Sequence, residues 1–180
     1  MVGSHVGLTN RQVEALVDRG GLVTILVDCD KVNDPFSREG LIETCTQSAR
    51  DALRSEDVLI MTSRDLHLGP DADANLKIGR AIAAIVAEIV RGVLPAASTW
   101  LVTKGGVTSH KVLTRGLGLR RAEVVGQLFA GFVSLFRPLE AAAGALDIQC
   151  VIFAGDVGDD EALADVVEIL RGDFGARTRS

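Results

Sequence analysis

Apolar residues recur along this chain in two rhythms, short β-branched runs and longer stretches at helical spacing, and their alternation sets the expected architecture. Residues 22–27, 57–61, 100–103 and 148–153 read as buried strands. Thr9 opens a helix, with Gln12 completing a capping box, Val13, Leu16 and Val17 forming the apolar stripe, and Gly20 as the stop. Residues 38–54 form an amphipathic helix, 28–37 a polar loop before it, and 161–171 a last helix. Residues 74–94 make a long helix whose apolar positions cover so much of its circumference that it should pack on more than one side. Residues 121–128 and 131–136 read as two further strands parted by a turn at Ala130-Gly131. Strands alternating with helices predict an α/β fold, a mainly parallel sheet with helices on both faces, and the last two strands allow an antiparallel pair at one side. Val2 to Gly7 reads as the close of a strand whose beginning the chain does not contain.

Composition narrows this picture. A length of 180 residues suits one domain with a substantial core and is short for two. The 19 Lys and Arg are scattered and the net charge is −5, which argues against a nucleic-acid surface, because counterion release needs a concentrated basic patch. Lys77, Arg80, Glu88 and Arg91 interrupt the one long apolar segment, so no membrane span is expected there. With nothing resembling a signal peptide at the N-terminus, a cytoplasmic location is the expectation. Cys29, Cys45 and Cys150 are too far apart for a metal knuckle and odd in number; Cys45 and Cys150 fit core positions.

Candidate chemistry sits where strands end. Lys104-Gly105-Gly106-Val107-Thr108 carries a strand through two glycines into a helix start, which frees backbone N–H groups and presents the positive end of a helix dipole, a setting that suits a phosphate. The turn from Gly155 to Gly158 repeats the pattern. Asp159, Asp160 and Glu161 after it are explained as first-turn carboxylates, whereas Asp156 is not a natural cap and is a candidate magnesium ligand. The loops 3–9, 62–65, 104–108 and 155–158 all follow strand ends, and in an open α/β sheet such loops gather on one edge, where ligands bind. Arg64 projects toward that edge and is a candidate for a phosphate or substrate carboxylate, its plain alternative being a surface salt bridge. Neither the dinucleotide G-x-G-x-x-G nor the P-loop pattern is present.

Five blocks now come into register: Gly3-Ser4-His5-Val6-Gly7-Leu8-Thr9-Asn10-Arg11-Gln12, Thr62-Ser63-Arg64, Lys104-Gly105-Gly106-Val107-Thr108-Ser109, Gly126-Gln127-Leu128 with Gly131, and Gly155-Asp156-Val157-Gly158-Asp159-Asp160 with Leu163. In order and approximate spacing they resemble the C-terminal, nucleotide-binding domain of the four-carbon acid sugar kinases. That resemblance implies an ATP site, with Mg2+, in which Ser4, the Gly105-Gly106-Val107-Thr108 turn and Gly155 contact ATP and Gly158 completes the last loop. It also implies a two-domain kinase for threonate, erythronate or 3-oxo-tetronate, of which residues 1–180 form the nucleotide-binding domain and the N-terminal substrate domain is missing. The pattern departs from the family at Phe153, where many members carry a lysine, and Lys104 is the available replacement. The alternative expectation is a non-catalytic module that binds a nucleotide or an anionic metabolite. The apolar long helix and the shortened first strand leave surface to cover, which points to a homo-oligomer or to a separate N-terminal domain as partner.

Overall fold

The computed structural model describes residues 1–3, 7–63, 71–94, 99–129 and 133–175; Ser4, His5, Arg64 and the expected Ala130-Gly131 turn lie outside them. In chain order the elements are α1 (Gly7–Arg19), β1 (Leu22–Val27), α2 (Pro35–Ala52), β2 (Asp57–Thr62), α3 (Ala72–Val93), β3 (Trp100–Lys104), α4 (Gly106–Lys111), β4 (Arg121–Phe129), β5 (Val133–Glu140), β6 (Gln149–Phe153) and α5 (Ala162–Gly175). The strand β1 runs over the residues its β-branched composition marks. The polar loop expected at 28–37 is shorter than that. A 3-10 turn, Cys29–Asn33, is capped by the Asp28 side chain, and α2 starts at Pro35, whose missing N–H costs nothing at a first helical position.

The sheet differs from the mainly parallel one expected. β1 pairs with β2 in parallel, and a second sheet runs β3-β6-β5-β4, with β3 parallel to β6 but β5 antiparallel to both of its neighbours. The reason is local: only residues 130–132 separate β4 from β5, and a link that short can only reverse the chain, whereas a parallel step needs a crossover of a dozen residues. The antiparallel pair is therefore present, and β5 extends it onto β6.

Val2 stitches the two sheets together. It bridges in parallel to Met61 on β2 and to Lys104 on β3, donating to Ile60 O at 2.9 Å while Thr62 N–H donates back to Val2 O at 3.3 Å. One core lies between the strands and α2, α3 and the π-helical stretch Val112–Gly116, and contains Ile25, Val27, Ile60, Ile85 and Ile89. The other lies under α1 and α5, with Val2, Leu16, Val151, Phe153 and Leu163. Alternate residues of one strand enter opposite cores, as the two-residue period of a strand requires. The helix α3 is buried over Ile82, Ala83, Ile85, Val86, Ile89 and Val90, enough of its circumference to pack against α2 on one side and the π-helical stretch on the other. The three cysteines are free and buried. No helix among the described residues is long and apolar enough to cross a membrane.

Candidate nucleotide site

Of the four expected loops, 104–108 and 155–158 lie wholly within the described residues and Gly3 opens a third, and these converge at the C-terminal ends of the strands. β3 ends at Lys104, and Gly105 turns the chain at φ 102°, a backbone conformation that side chains other than glycine's resist. Its N–H is already used, donating to Phe153 O at 3.0 Å, so the phosphate donor expected from Gly105 is committed to the β3-β6 ladder instead. α4 starts at Gly106, two residues before the expected Thr108. Ser109 N–H donates to Gly105 O at 2.8 Å, and the N–H groups of Gly106, Val107 and Thr108, in the first turn, have no intrahelical acceptor among the described residues. Gly106 and Val107 are exposed, whereas Thr108 and Ser109 are buried. Ser109 Oγ folds back on Gly105 O at 2.8 Å.

The N-terminal loop approaches this turn directly. Gly3 N–H donates to Lys104 O at 3.3 Å, and a Cβ added to Gly3 would stand 2.2 Å from Thr108 Oγ1. The chain leading toward Ser4 thus packs on the Thr108 side chain, which gives Thr108 a packing duty in addition to the proposed ligand contact. Around Gly106, by contrast, an added Cβ would meet nothing within 4 Å. Space is open on the face where a phosphate would have to approach the backbone.

The last loop is held from below by residues that the sequence reading assigned otherwise. Because α1 begins at Gly7, Thr9 lies inside the helix and forms no N-cap, and the expected capping box gives way to a tertiary contact. Thr9 Oγ1 donates to Gly155 O at 2.9 Å, and Gln12 Nε2 donates to Val157 O at 3.0 Å and also to Asp159 O. Both side chains are fully buried. Their spacing of three marks one helix face and reads equally well as a capping box, so sequence alone could not show which contact they make. Gly158, at φ 80°, completes the turn where an added Cβ would lie 2.6 Å from the Ala162 Cβ. The acidic residues that follow hold α1 as well: Asp160 pairs with Arg11 at 2.8 Å, and Glu161 with Arg19 at 2.6 Å.

Lys104 joins the two turns. Its side chain is fully buried, and its ammonium sits 4.0 Å from the centroid of the Phe153 ring and donates to Ala154 O at 2.8 Å. Burial pulls the ammonium down from 10.5 to about 8, with the charge of Asp156 acting in the opposite direction. Asp156 itself stands exposed beside the loop. Among the described residues no three His, Cys, Asp or Glu side chains come together as a metal cage would require. Beside Gly106 opens a hollow of about 350 Å3 with Leu113 and Ile152 on its floor and His110, Arg120 and Arg121 around it. Ile152 is 37% exposed there, an apolar side chain left uncovered in the middle of a sheet.

Residues 1–163 match a family model described as the nucleotide-binding C-terminal domain. None of the curated proteins compared matches the chain. Among solved structures it is similar to a domain of unknown function from Bordetella bronchiseptica, crystallised with citrate as a domain-swapped dimer, at 22% identity and TM-score 0.73 over 94% of this chain and 40% of that one. A Haemophilus influenzae protein of the same family of unknown function is similar at 22% identity and TM-score 0.70, over 93% of this chain and 39% of that one. A Salmonella typhimurium LT2 protein put forward as a tRNA synthase is similar at 20% identity and TM-score 0.70, over 92% and 39% of the two chains. At these identities the likeness shows the fold, and the chain spans about two fifths of each relative's length.

Proposed function

The chain belongs to the nucleotide-binding C-terminal domain family, and from that premise we propose that it is the ATP-holding domain of a kinase for a four-carbon sugar acid such as threonate, erythronate or 3-oxo-tetronate. The observation that carries this reading is the meeting of Lys104, the open face of Gly106 and the Gly155–Gly158 loop at one end of the sheet. Gly106, Val107 and Thr108 would offer first-turn N–H groups to the phosphates. Lys104 would supply the cation that neutralises them, in place of the family lysine whose position Phe153 fills. Asp156, on the same loop, would help hold Mg2+ brought with the nucleotide, and the hollow over Leu113 and Ile152 would receive the base.

Phosphoryl transfer also needs an aligned acceptor hydroxyl, so the acid-sugar half of the site belongs to a separate N-terminal domain in this proposal. Calorimetric titration with Mg-ATP tests the ligand: folded protein that takes up no ATP at millimolar concentration would refute it. ADP release in a coupled assay with the three sugar acids, with and without a separately supplied N-terminal domain, tests the kinase.

A second reading, a non-catalytic module for an anionic metabolite, is favoured by the lysine missing at Phe153 and by the citrate bound to the Bordetella relative. ATP-dependent turnover of any of the three acids would exclude it.

A further inference from the structure

The two outermost strands differ in how open their edges are. β4, on one side, meets β5 through register shifts at Arg121/Ala122, Val124/Gly126 and Gln127/Phe129, and carries Arg121 and Glu123. Bulges and charges of this kind keep an edge from pairing with another chain. β1, on the other side, has neither. Its six residues hold no charge, no proline and no glycine, and they pair with β2 from Leu22 opposite Asp57 to Val27 opposite Thr62 without a register shift. Among the described residues no strand lies beyond β1.

The backbone groups on that edge follow from the ladder. Ser63 N–H donates to Val27 O at 2.9 Å, so Val27 turns its backbone toward β2. In a parallel ladder the groups aimed at one neighbour recur at every second residue, which gives Val23 and Ile25 to β2 as well and points the N–H and C=O of Leu22, Thr24 and Leu26 outward. Leu26 O accordingly meets the Cys45 thiol of α2, at 3.9 Å. Side-chain exposure follows the same alternation toward the end of the strand: Ile25 and Val27 are buried, whereas Thr24 is exposed and Leu26 is 53% exposed.

We propose that the β1 edge is a dimer interface, at which β1 of a second copy of this chain pairs antiparallel across a twofold axis at Thr24. The outward residues are symmetric about Thr24, and this self-complementarity carries the assignment. Thr24 meets Thr24 of the other copy and Leu22 meets Leu26 on either side of it, with two N–H···O=C bonds for each pair, about six in all. A shift by one residue would set these groups against Val23 and Ile25, whose own are spent on β2, and a shift by two would leave one outward residue of each copy unpaired. In the symmetric register each exposed Leu26 side chain lies against Leu22 of the other copy, on the same sheet face. Past the strand, the register carries Asp28 toward the Gly20-Gly21 turn of the other copy, where Arg171 holds the two carbonyls at 3.2 and 2.8 Å, so a carboxylate comes toward a cation at each end of the seam.

Sedimentation equilibrium and amide hydrogen exchange on the full chain test the interface. The native chain should sediment as a dimer, and its Thr24 and Leu26 amides should exchange slowly and speed up on dilution to monomer, while the Ile25 and Val27 amides, which donate to β2, keep their protection. Thr24→Pro removes an N–H that β2 does not use, and Leu26→Lys puts a charge on the edge without touching the backbone. Each should raise the dimer dissociation constant by roughly tenfold or more, with a native circular dichroism spectrum. Should Thr24→Pro fail to fold, Leu26→Lys decides alone. A native chain that stays monomeric at ~1 mM, or a dimer that Leu26→Lys leaves as tight as before, would overturn the interface. Slow exchange of the Thr24 and Leu26 amides in a monomer would give the edge to another segment and overturn the second copy.

Discussion

Lys104 and Phe153 face each other across the β3-β6 ladder, and the ammonium of the first rests 4.0 Å from the ring centroid of the second. Under the proposed function, the cation that Phe153 does not provide on the strand leading into the last loop would come from the neighbouring strand at the same level. The exchange keeps a positive charge within reach of both glycine turns, because register partners in a parallel pair end at the same edge of the sheet.

If Lys104 neutralises phosphate, Lys104→Met should weaken Mg-ATP binding by roughly ten- to a hundredfold, the worth of about 1.5–3 kcal/mol for a hydrogen bond to a charged group. Calorimetry measures this directly. Unchanged affinity in a folded variant would remove Lys104 from the site.

The exchange across the ladder is itself testable. The double variant Lys104→Phe with Phe153→Lys roughly conserves volume and returns the lysine to the position it holds in many family members. ATP affinity should fall in Lys104→Phe alone and recover at least partly in the double variant, so that the two changes are strongly non-additive in a double-mutant cycle. Additive losses would mean that the two positions do not share one task.

The lowered pKa of Lys104 gives a pH dependence with a definite sign. Between about 8 and 10.5 the unfolded chain holds a proton on this lysine that the folded chain has released, so its contribution to stability rises with pH through that window. For ATP the sign is opposite, since phosphate favours the charged form. Affinity should therefore fall as pH rises through about 8 in the native chain and stay flatter in Lys104→Met. Chemical denaturation and calorimetry at pH 7, 8.5 and 10 follow both effects.

Gly105 and Gly106 should separate folding from binding. Gly105→Ala places a Cβ at φ 102° and should cost about 1–3 kcal/mol of stability. Gly106→Ala meets no protein atom within 4 Å and should melt close to the native chain while binding ATP more weakly, because only an incoming ligand would occupy that space. An equally stable Gly106→Ala chain with native ATP affinity would contradict close phosphate approach at this residue.

Thr9 and Gln12 should govern the last loop from a distance. Gln12→Leu leaves the Val157 and Asp159 carbonyls without their shared donor and should cost about 1–3 kcal/mol. Faster hydrogen exchange confined to the loop around Gly155 to Gly158, together with weaker ATP binding, is the expected outcome. Uniform destabilisation with native affinity would make the contact purely structural.

The sequence by itself determined the elements, because their signals are local: β-branched runs gave β1 and β2, helical spacing gave α2 and α3, and glycines before helix starts marked the turns at Gly105 and Gly158. It also carried the family, since five short blocks in register are a linear property. Only the tertiary structure decided what each polar group bonds to. Thr9 and Gln12 look the same as a capping box or as a brace, and the choice depends on a loop about 145 residues away. Gly105 N–H looked free and is taken by Phe153, since strand neighbours are chosen by packing of whole faces rather than by adjacent residues. The mixed sheet and the pairing of Lys104 with Phe153 arise in the same way: each follows from how the strands register against one another, which is a long-range property of the fold.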